Sequence, residues 1–174
     1  MNRRYLVAAV VATVAAPAVA QAEAVSWEQI TSADYRLKMP VGYRHVVLPR
    51  PDGGTVRQYT ALVAGKFFDF TVTDLVGNEA HLPASPAELA QRLEQMEAGM
   101  LRSWPGASML QHQTLQFGGV PGRAMVCSID QGRYILFVRM YFAREAIYMQ
   151  LVRVPAAERQ DAAAALFLDS LSLQ

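Results

Sequence analysis

Apolar residues fill most positions between 122 and 154, in three short runs separated by polar residues and glycine. This pattern predicts three consecutive antiparallel strands, Gly122–Asp130, Arg133–Phe142 and Ile147–Val154. A two-residue loop, Gln131-Gly132, joins the first two strands, and a tight connection at 143–146 joins the last two. These short connections fix which residues lie opposite one another across the strands.

The resulting register makes both faces of this three-stranded unit apolar. On one face it pairs Cys127 with Leu136 and Val138 with Leu151. The other face holds Val126, Phe137, Val152, Ile135, Val154, Tyr141 and Tyr148, and it is interrupted by Arg139 beside Gln150. A sheet with one face in water alternates apolar and polar residues. We therefore expect other elements to cover both faces, or one face to be a contact surface.

The remainder of the chain adds further strands and a first helix. Strands are predicted over Ser26–Thr31, Tyr35–Met39, Val46–Leu48, Thr55–Val63, Phe67–Leu75, Met109–Phe117 and Ser170–Leu173. Ser85 at the cap, Pro86 at the first helical position and Glu88 three residues after the cap form a strong helix start. Pro105 ends this helix, because it disfavours helical backbone at Trp104.

A second helix is expected to open at Pro155 and to pack through Ala162–Ala165 and Leu166-Phe167. Runs of consecutive strands favour antiparallel pairing and the α+β class. Two helices and two apolar sheet faces together predict a central antiparallel sheet with helices packed on both faces, an α/β/α sandwich.

The first 22 residues have the layout of a secretory signal peptide. Arg3 and Arg4 precede an uncharged, Ala/Val-rich run, Leu6–Ala20, and small residues at A-x-A spacing continue to Ala22. The run is shorter than the ~20 apolar residues that a membrane-spanning helix needs. We therefore expect cleavage after Ala22, export to a bacterial periplasm, and one mature domain over residues 23–174 that does not span the membrane.

Charge and cysteine content narrow the class of protein. Without the first 22 residues, 14 basic residues face 15 acidic ones, so the net charge is about −1. A nucleic-acid-binding protein would show a basic stripe, and we expect no such partner. Cys127 is the single cysteine, which excludes an internal disulfide. It is expected to pack in the core, where a thiol loses reactivity.

We find no catalytic or metal-binding signature in the sequence. His45, His81 and His112 are not spaced for a shared metal site, and no Gly-x-Ser-x-Gly nucleophile motif is present. The glycine-rich stretch 118–122 enters a strand, whereas a phosphate-binding loop leads into a helix N-terminus. We therefore expect no enzymatic activity, no metal and no cofactor.

Two sets of residues are candidates for binding. Arg139, Tyr141, Tyr148 and Gln150 form a predicted partner-binding patch, because tyrosine and arginine dominate protein-protein hot spots. The alternative role for Arg139 is structural, with its stem on apolar surface and its head against a carboxylate or helix carbonyls. Adaptable methionines can instead line a pocket for a small apolar ligand between helix and sheet. These methionines are Met96, Met100, Met125, Met140 and Met149. An ordinary apolar core accounts for the same methionine cluster.

The order of elements resembles the PsbP-like fold family, which includes the photosystem protein PsbP and bacterial periplasmic DcrB-like relatives. The matching parts are the strand ending in Met39–Gly42, the paired strands Thr55–Leu75, the capped helix from Ser85, Leu115–Gly122 with its Gly-x-Pro-Gly, and Phe167–Leu171. The resemblance covers the chain from about Tyr35 onward. It implies a central antiparallel sheet with helices on both faces, and binding or accessory roles rather than catalysis.

The sequence thus predicts a non-enzymatic periplasmic accessory protein that contacts another protein at the cell envelope. The alternative is a carrier of a small apolar ligand in a methionine-lined pocket.

Overall fold

The computed structural model describes residues 25–77, 85–143 and 145–174. Within these ranges the chain forms ten strands and two helices. The strands are β1 (Trp27–Thr31), β2 (Tyr35–Pro40), β3 (Arg44–Pro49), β4 (Thr55–Val63), β5 (Lys66–Asp74), β6 (Ser108–Phe117), β7 (Val120–Ile129), β8 (Tyr134–Phe142), β9 (Ala146–Pro155) and β10 (Ser172–Leu173). The helices are α1 (Pro86–Arg102) and α2 (Ala162–Asp169), with 3₁₀ turns at Asp130–Gly132 and Ala156–Glu158. The mixed α+β class is therefore confirmed.

The strands form two antiparallel sheets. The larger has seven strands in the order β3-β4-β5-β9-β8-β7-β6, and the smaller has three in the order β1-β2-β10. The predicted unit of three consecutive strands is confirmed as β7, β8 and β9, with Cys127 opposite Leu136 and Val138 opposite Leu151. The sequence did not separate β1, β2 and β10 from the central sheet, because their pairing joins residues far apart in the chain, such as Tyr35 and Leu173.

Alternation along the strands divides the core into two clusters on opposite faces of the seven-stranded sheet. We call these the Phe68 face and the Met125 face. The cluster of Phe68 also contains Tyr35 of the small sheet and Phe167 of α2. The cluster of Met125 also contains Met100 of α1. The parts of these faces that remain exposed to solvent are candidates for a binding surface.

The start of α1 follows the predicted chemistry. Ser85 Oγ accepts a hydrogen bond from the Glu88 backbone N–H at 3.2 Å, and Pro86 occupies the first helical position. The helix ends at Arg102, ahead of Pro105.

The start of α2 differs from the expectation. Pro155 ends β9, and α2 begins at Ala162 after Asp161, whose Oδ1 accepts the Ala164 N–H at 2.8 Å. Proline fixes only φ, which suits both a first helical turn and an extended strand. At Pro155 the ψ of 142° selects the extended form. The buried side of the helix consists of Ala164, Phe167 and Leu168, whereas Ala162, Ala165 and Leu166 are exposed.

Candidate functional site

An apolar surface on the Phe68 face spans three adjacent strands, β6, β7 and β8. We call it the β6–β8 patch, and it consists of Leu115, Phe117, Val120, Val126 and Phe137. Val126 lies opposite Phe137, and Phe117 lies opposite Val120. Four of the five side chains pack partly against the core, and Phe117 is 37% exposed. The patch is therefore partly buried against the core and partly exposed to solvent.

A groove borders the patch where β8 meets α2. Its volume is about 410 Å³, and we call it the α2 groove. Phe137 and Arg139 of β8, Arg159 before the helix, and Leu168 of α2 are among its lining residues. A partner side chain that lies on the patch can therefore enter a concave site beside it.

Arg139 is held at this groove by the last turn of α2. Its Nη1 donates to the Leu168 carbonyl at 2.9 Å and lies 2.8 Å from Asp169 Oδ1. The side chain is 30% exposed. This arrangement is the structural role considered for Arg139, in which its guanidinium meets helix carbonyls and a carboxylate.

The other three predicted patch residues lie on the same face as Arg139 but are buried. Tyr141, Tyr148 and Gln150 have exposed fractions of 5%, 6% and 0%. Gln150 Nε2 donates to the Phe167 carbonyl at 2.7 Å, and the Tyr148 ring packs edge-on against Tyr35. Burial raises the pKa of both phenols. Direct contact of these three side chains with a partner stays a prediction. It requires the residues that bury them to move.

The five predicted pocket methionines come together on the Met125 face. Met100, Met125 and Met140 are buried there, and Met96 and Met149 pack partly against them. A groove of about 540 Å³ lies next to α1, and we call it the α1 groove. Of the five methionines, Met96 lines it. Its other apolar lining residues are Leu75, Phe142 and Ile147, and Arg50 and Arg92 also line it.

The titratable residues of the described ranges form ion pairs, such as that of Lys66 with Glu158 and Asp161. Within these ranges no cluster of three or more His, Cys, Asp and Glu side chains is arranged to hold a metal ion. His45 stacks on the Tyr59 ring, and His112 Nδ1 lies 3.2 Å from Glu97 Oε1. His81 lies outside the described residues. Cys127 is fully buried, and burial raises the pKa of its thiol.

Sequence reasoning missed the β6–β8 patch as a site. Alternation assigns Val126 and Phe137 to a face, but it does not say how far a helix extends over that face. No sequence signal gave the length of this helix: the sequence predicted a start at Pro155, whereas α2 has eight residues, Ala162–Asp169, and cannot cover a seven-stranded sheet.

Comparison with solved structures identifies the fold of this chain. No family model matches the sequence, and no curated protein matches it. The solution structure of cyanobacterial PsbP (CyanoP) from Synechocystis sp. PCC 6803 matches 93% of this chain and 99% of its own, with a TM-score of 0.56 at 8% identity. The chain has a PsbP-like fold. The resemblance seen in the sequence is therefore confirmed at the level of fold.

Two further solved structures are more distant matches to this PsbP-like chain. A Pseudomonas aeruginosa protein of unknown function, PA94, titled a putative regulator, covers 80% of this chain and 90% of its own, with a TM-score of 0.44 at 13% identity. The Saccharomyces cerevisiae Ran-binding protein Mog1p covers 86% and 96%, with a TM-score of 0.43 at 11% identity. Within the described ranges, no helix has the length and apolar character needed to cross a membrane.

Proposed function

We propose that this protein is an exported, non-enzymatic accessory protein that contacts another protein through the β6–β8 patch. The observation that carries the proposal is an apolar surface on three adjacent strands, with Phe117 exposed at its outer edge. Apolar side chains that reach solvent together on one face mark interaction sites on soluble proteins, and here the row Gln113, Ala124 and Arg139 lies between Val126–Phe137 and Leu115. The α2 groove beside Phe137 offers the concave site in which a hot-spot side chain of the partner is buried.

We also infer that each face of the seven-stranded sheet carries one helical layer. The clusters support this, since Phe167 of α2 packs with Phe68 and Met100 of α1 packs with Met125. α2 and the small sheet then occupy the central strands of the Phe68 face. The β6 side of that face is left for a partner.

Export rests on the first 22 residues, which lie outside the described ranges. Their charged start, uncharged run and A-x-A sites support cleavage after Ala22 and a periplasmic location. Intact-mass measurement of the protein from a periplasmic fraction is expected to give a chain that begins at Glu23. A chain that retains residues 1–20 would contradict export by a cleaved signal.

The contact surface is tested by a charge placed in the middle of the patch. Val126→Lys puts an ammonium on apolar contact surface, whereas Leu62→Lys puts one on an exposed position of the opposite face, where Leu62 is 69% exposed. Each variant is used as bait in the native periplasm, after its melting temperature has been checked. We expect Val126→Lys to lose a partner that the wild type and Leu62→Lys both retain. Equal retention by both variants would refute the patch.

The α1 groove supports a second candidate function, that of a carrier for a small apolar ligand. Its volume of about 540 Å³ lies within the range of ~300–1,000 Å³ typical of ligand pockets. Native mass spectrometry of protein from the periplasm tests it directly. A carrier should bring an apolar passenger that Met96→Glu loses and Leu166→Glu, on the exposed side of α2, retains. Protein free of any passenger would argue against the carrier.

A further inference from the structure

β6 is an open edge of the seven-stranded sheet. Only β7 pairs with it among the described strands. Its ten residues, Ser108–Phe117, are exposed except for Met109 and Leu115, which are partly buried. An edge strand directs alternate backbone N–H and C=O groups away from its neighbour, where they template a further strand. Ten residues extend over ~33 Å, which is ample for such pairing.

β6 also lacks most features that block edge pairing. Its ten residues contain no Asp, Glu, Lys or Arg and no proline, and its one histidine, His112, lies 3.2 Å from Glu97 of the same chain. A bulge between Met109 and Gln111 interrupts the first part, but the stretch 111–117 pairs regularly with β7. The opposite edge, β3, is shorter, begins with Arg44 and ends with Pro49. Charge and proline are the usual protections of natural edges, so the unprotected edge is the one at β6.

We propose that β6 pairs with β6 of a second copy of this chain, antiparallel and about a two-fold axis at Thr114. This register places Gln113 opposite Leu115 and Gln111 opposite Phe117 of the second copy. The strand is uncharged, so pairing with itself brings no like charges together. Threonine facing threonine at the axis is a favourable cross-strand pair. The two seven-stranded sheets then become continuous, with the two-fold symmetry most common among oligomers.

The surroundings of β6 fit a second copy. The nearest basic side chain on the neighbouring strand is already paired within the chain, since Arg123 Nε lies 3.4 Å from Glu97 Oε2 and its Nη1 donates to Thr114 Oγ1 at 3.4 Å. The net charge of about −1 expected for residues 23–174 does not oppose self-association. This inference uses backbone groups at the sheet edge and does not depend on a partner at the β6–β8 patch.

Sedimentation equilibrium of the mature protein tests the proposal. We expect a dimer for the wild type, and a shift to monomer for Thr114→Lys, which sets two ammonium groups opposite each other at the axis. Val47→Lys, on the exposed β3 edge, is the matched control and should remain dimeric. A monomeric wild type, including one that instead binds an extended segment of another protein along β6, would overturn the proposal. So would a dimer that Thr114→Lys leaves intact.

A cysteine at the axis tests the register without disrupting the fold. Opposed residues of an antiparallel pair have Cα atoms ~4.5–5.5 Å apart, within the ~4.4–6.8 Å that a disulfide spans. Mild oxidation of Thr114→Cys should therefore give a covalent dimer, and Val47→Cys should not. Cys127 is fully buried and does not compete. Equal dimer yields from both variants, or none from Thr114→Cys, would contradict pairing at this axis.

Discussion

Lys66 Nζ lies 2.9 Å from Asp161 Oδ2, and this contact ties the β4–β5 hairpin to the first turn of α2. Nζ also lies 2.9 Å from Glu158 Oε2. Asp161 itself caps α2 by accepting the Ala164 N–H. Lys66 is only 5% exposed, so its ammonium depends on these two carboxylates. Lys66 therefore holds the start of α2 against the β4–β5 hairpin. The position of α2 in turn sets how much of the sheet this helix covers.

Replacing this lysine should destabilise the fold. Lys66→Gln leaves two carboxylates without their shared cation, and we expect the free energy of unfolding to fall by about 1–3 kcal/mol. Arg133→Gln is the matched control, because it breaks a pair with Asp130 in which Arg133 is 72% exposed. Pairs this exposed to solvent contribute little to stability. Urea unfolding measures both changes, and equal losses would show that Lys66 does not hold α2 in place.

The sequence was sufficient to predict strand pairing and helix capping. It did not predict which residues are buried by elements that are distant in the chain. Alternation and a tight turn were sufficient to place Cys127 opposite Leu136, because a shift of one residue would exchange the faces of every side chain. The cap at Ser85 likewise depends on neighbouring residues alone. The burial of Tyr141 and Gln150 depends on α2 and the small sheet, which approach from distant parts of the chain. No local sequence pattern indicates that these elements pack there. Three of the four predicted contact residues, Tyr141, Tyr148 and Gln150, are therefore buried.

A buried carboxyl should make stability depend on pH. Asp69 is 3% exposed and accepts hydrogen bonds from Gln58 Nε2 at 2.6 Å and from Thr71 Oγ1 at 2.8 Å. Burial raises its pKa above the ordinary 3.8. The folded state therefore holds this proton more tightly than the unfolded state, and stability falls as the pH rises from 3.8 through the raised pKa.

Asp69→Asn tests this dependence. The neutral amide avoids the burial of a charge but loses one of the two accepted hydrogen bonds, so the melting temperature of the variant relative to the wild type should rise as the pH goes from 3.8 to neutral. Glu94→Gln, on the exposed side of α1, is the control for the removal of a carboxylate. A difference for Asp69→Asn that stays constant between neutral pH and pH 3.8 would contradict the assignment.

The same substitution at two glycines should have opposite effects. A Cβ on Gly122 would meet the Met140 carbonyl and lie 2.8 Å from the Tyr141 ring, so Gly122→Ala should cost about 1–3 kcal/mol by overpacking. A Cβ on Gly99 in α1 meets nothing closer than Arg102 Nη2 at 3.7 Å. Gly99→Ala should stabilise the protein by about 0.5–1 kcal/mol through helix propensity. Thermal unfolding of both variants checks the pair, and a neutral Gly122→Ala would mean that Tyr141 does not pack over it.

Arg139→Gln separates a positioning role from a contact role. Loss of the hydrogen bond to Leu168 and the ion pair with Asp169 should lower stability by about 1 kcal/mol. Capture of a partner, measured per folded molecule, should then equal that of the wild type. A variant that melts like the wild type but loses capture by about 2 kcal/mol or more would instead make Arg139 a contact residue.

The β6–β8 patch is the surface through which we propose that the protein contacts another protein. A light-activated diazirine amino acid placed at Val126, and separately at Leu62 on the opposite face, measures this in living cells. We expect a discrete cross-link to one protein other than this chain from Val126, and none to that protein from Leu62. A cross-link of equal yield from Leu62, or none from Val126, would contradict contact through the β6–β8 patch.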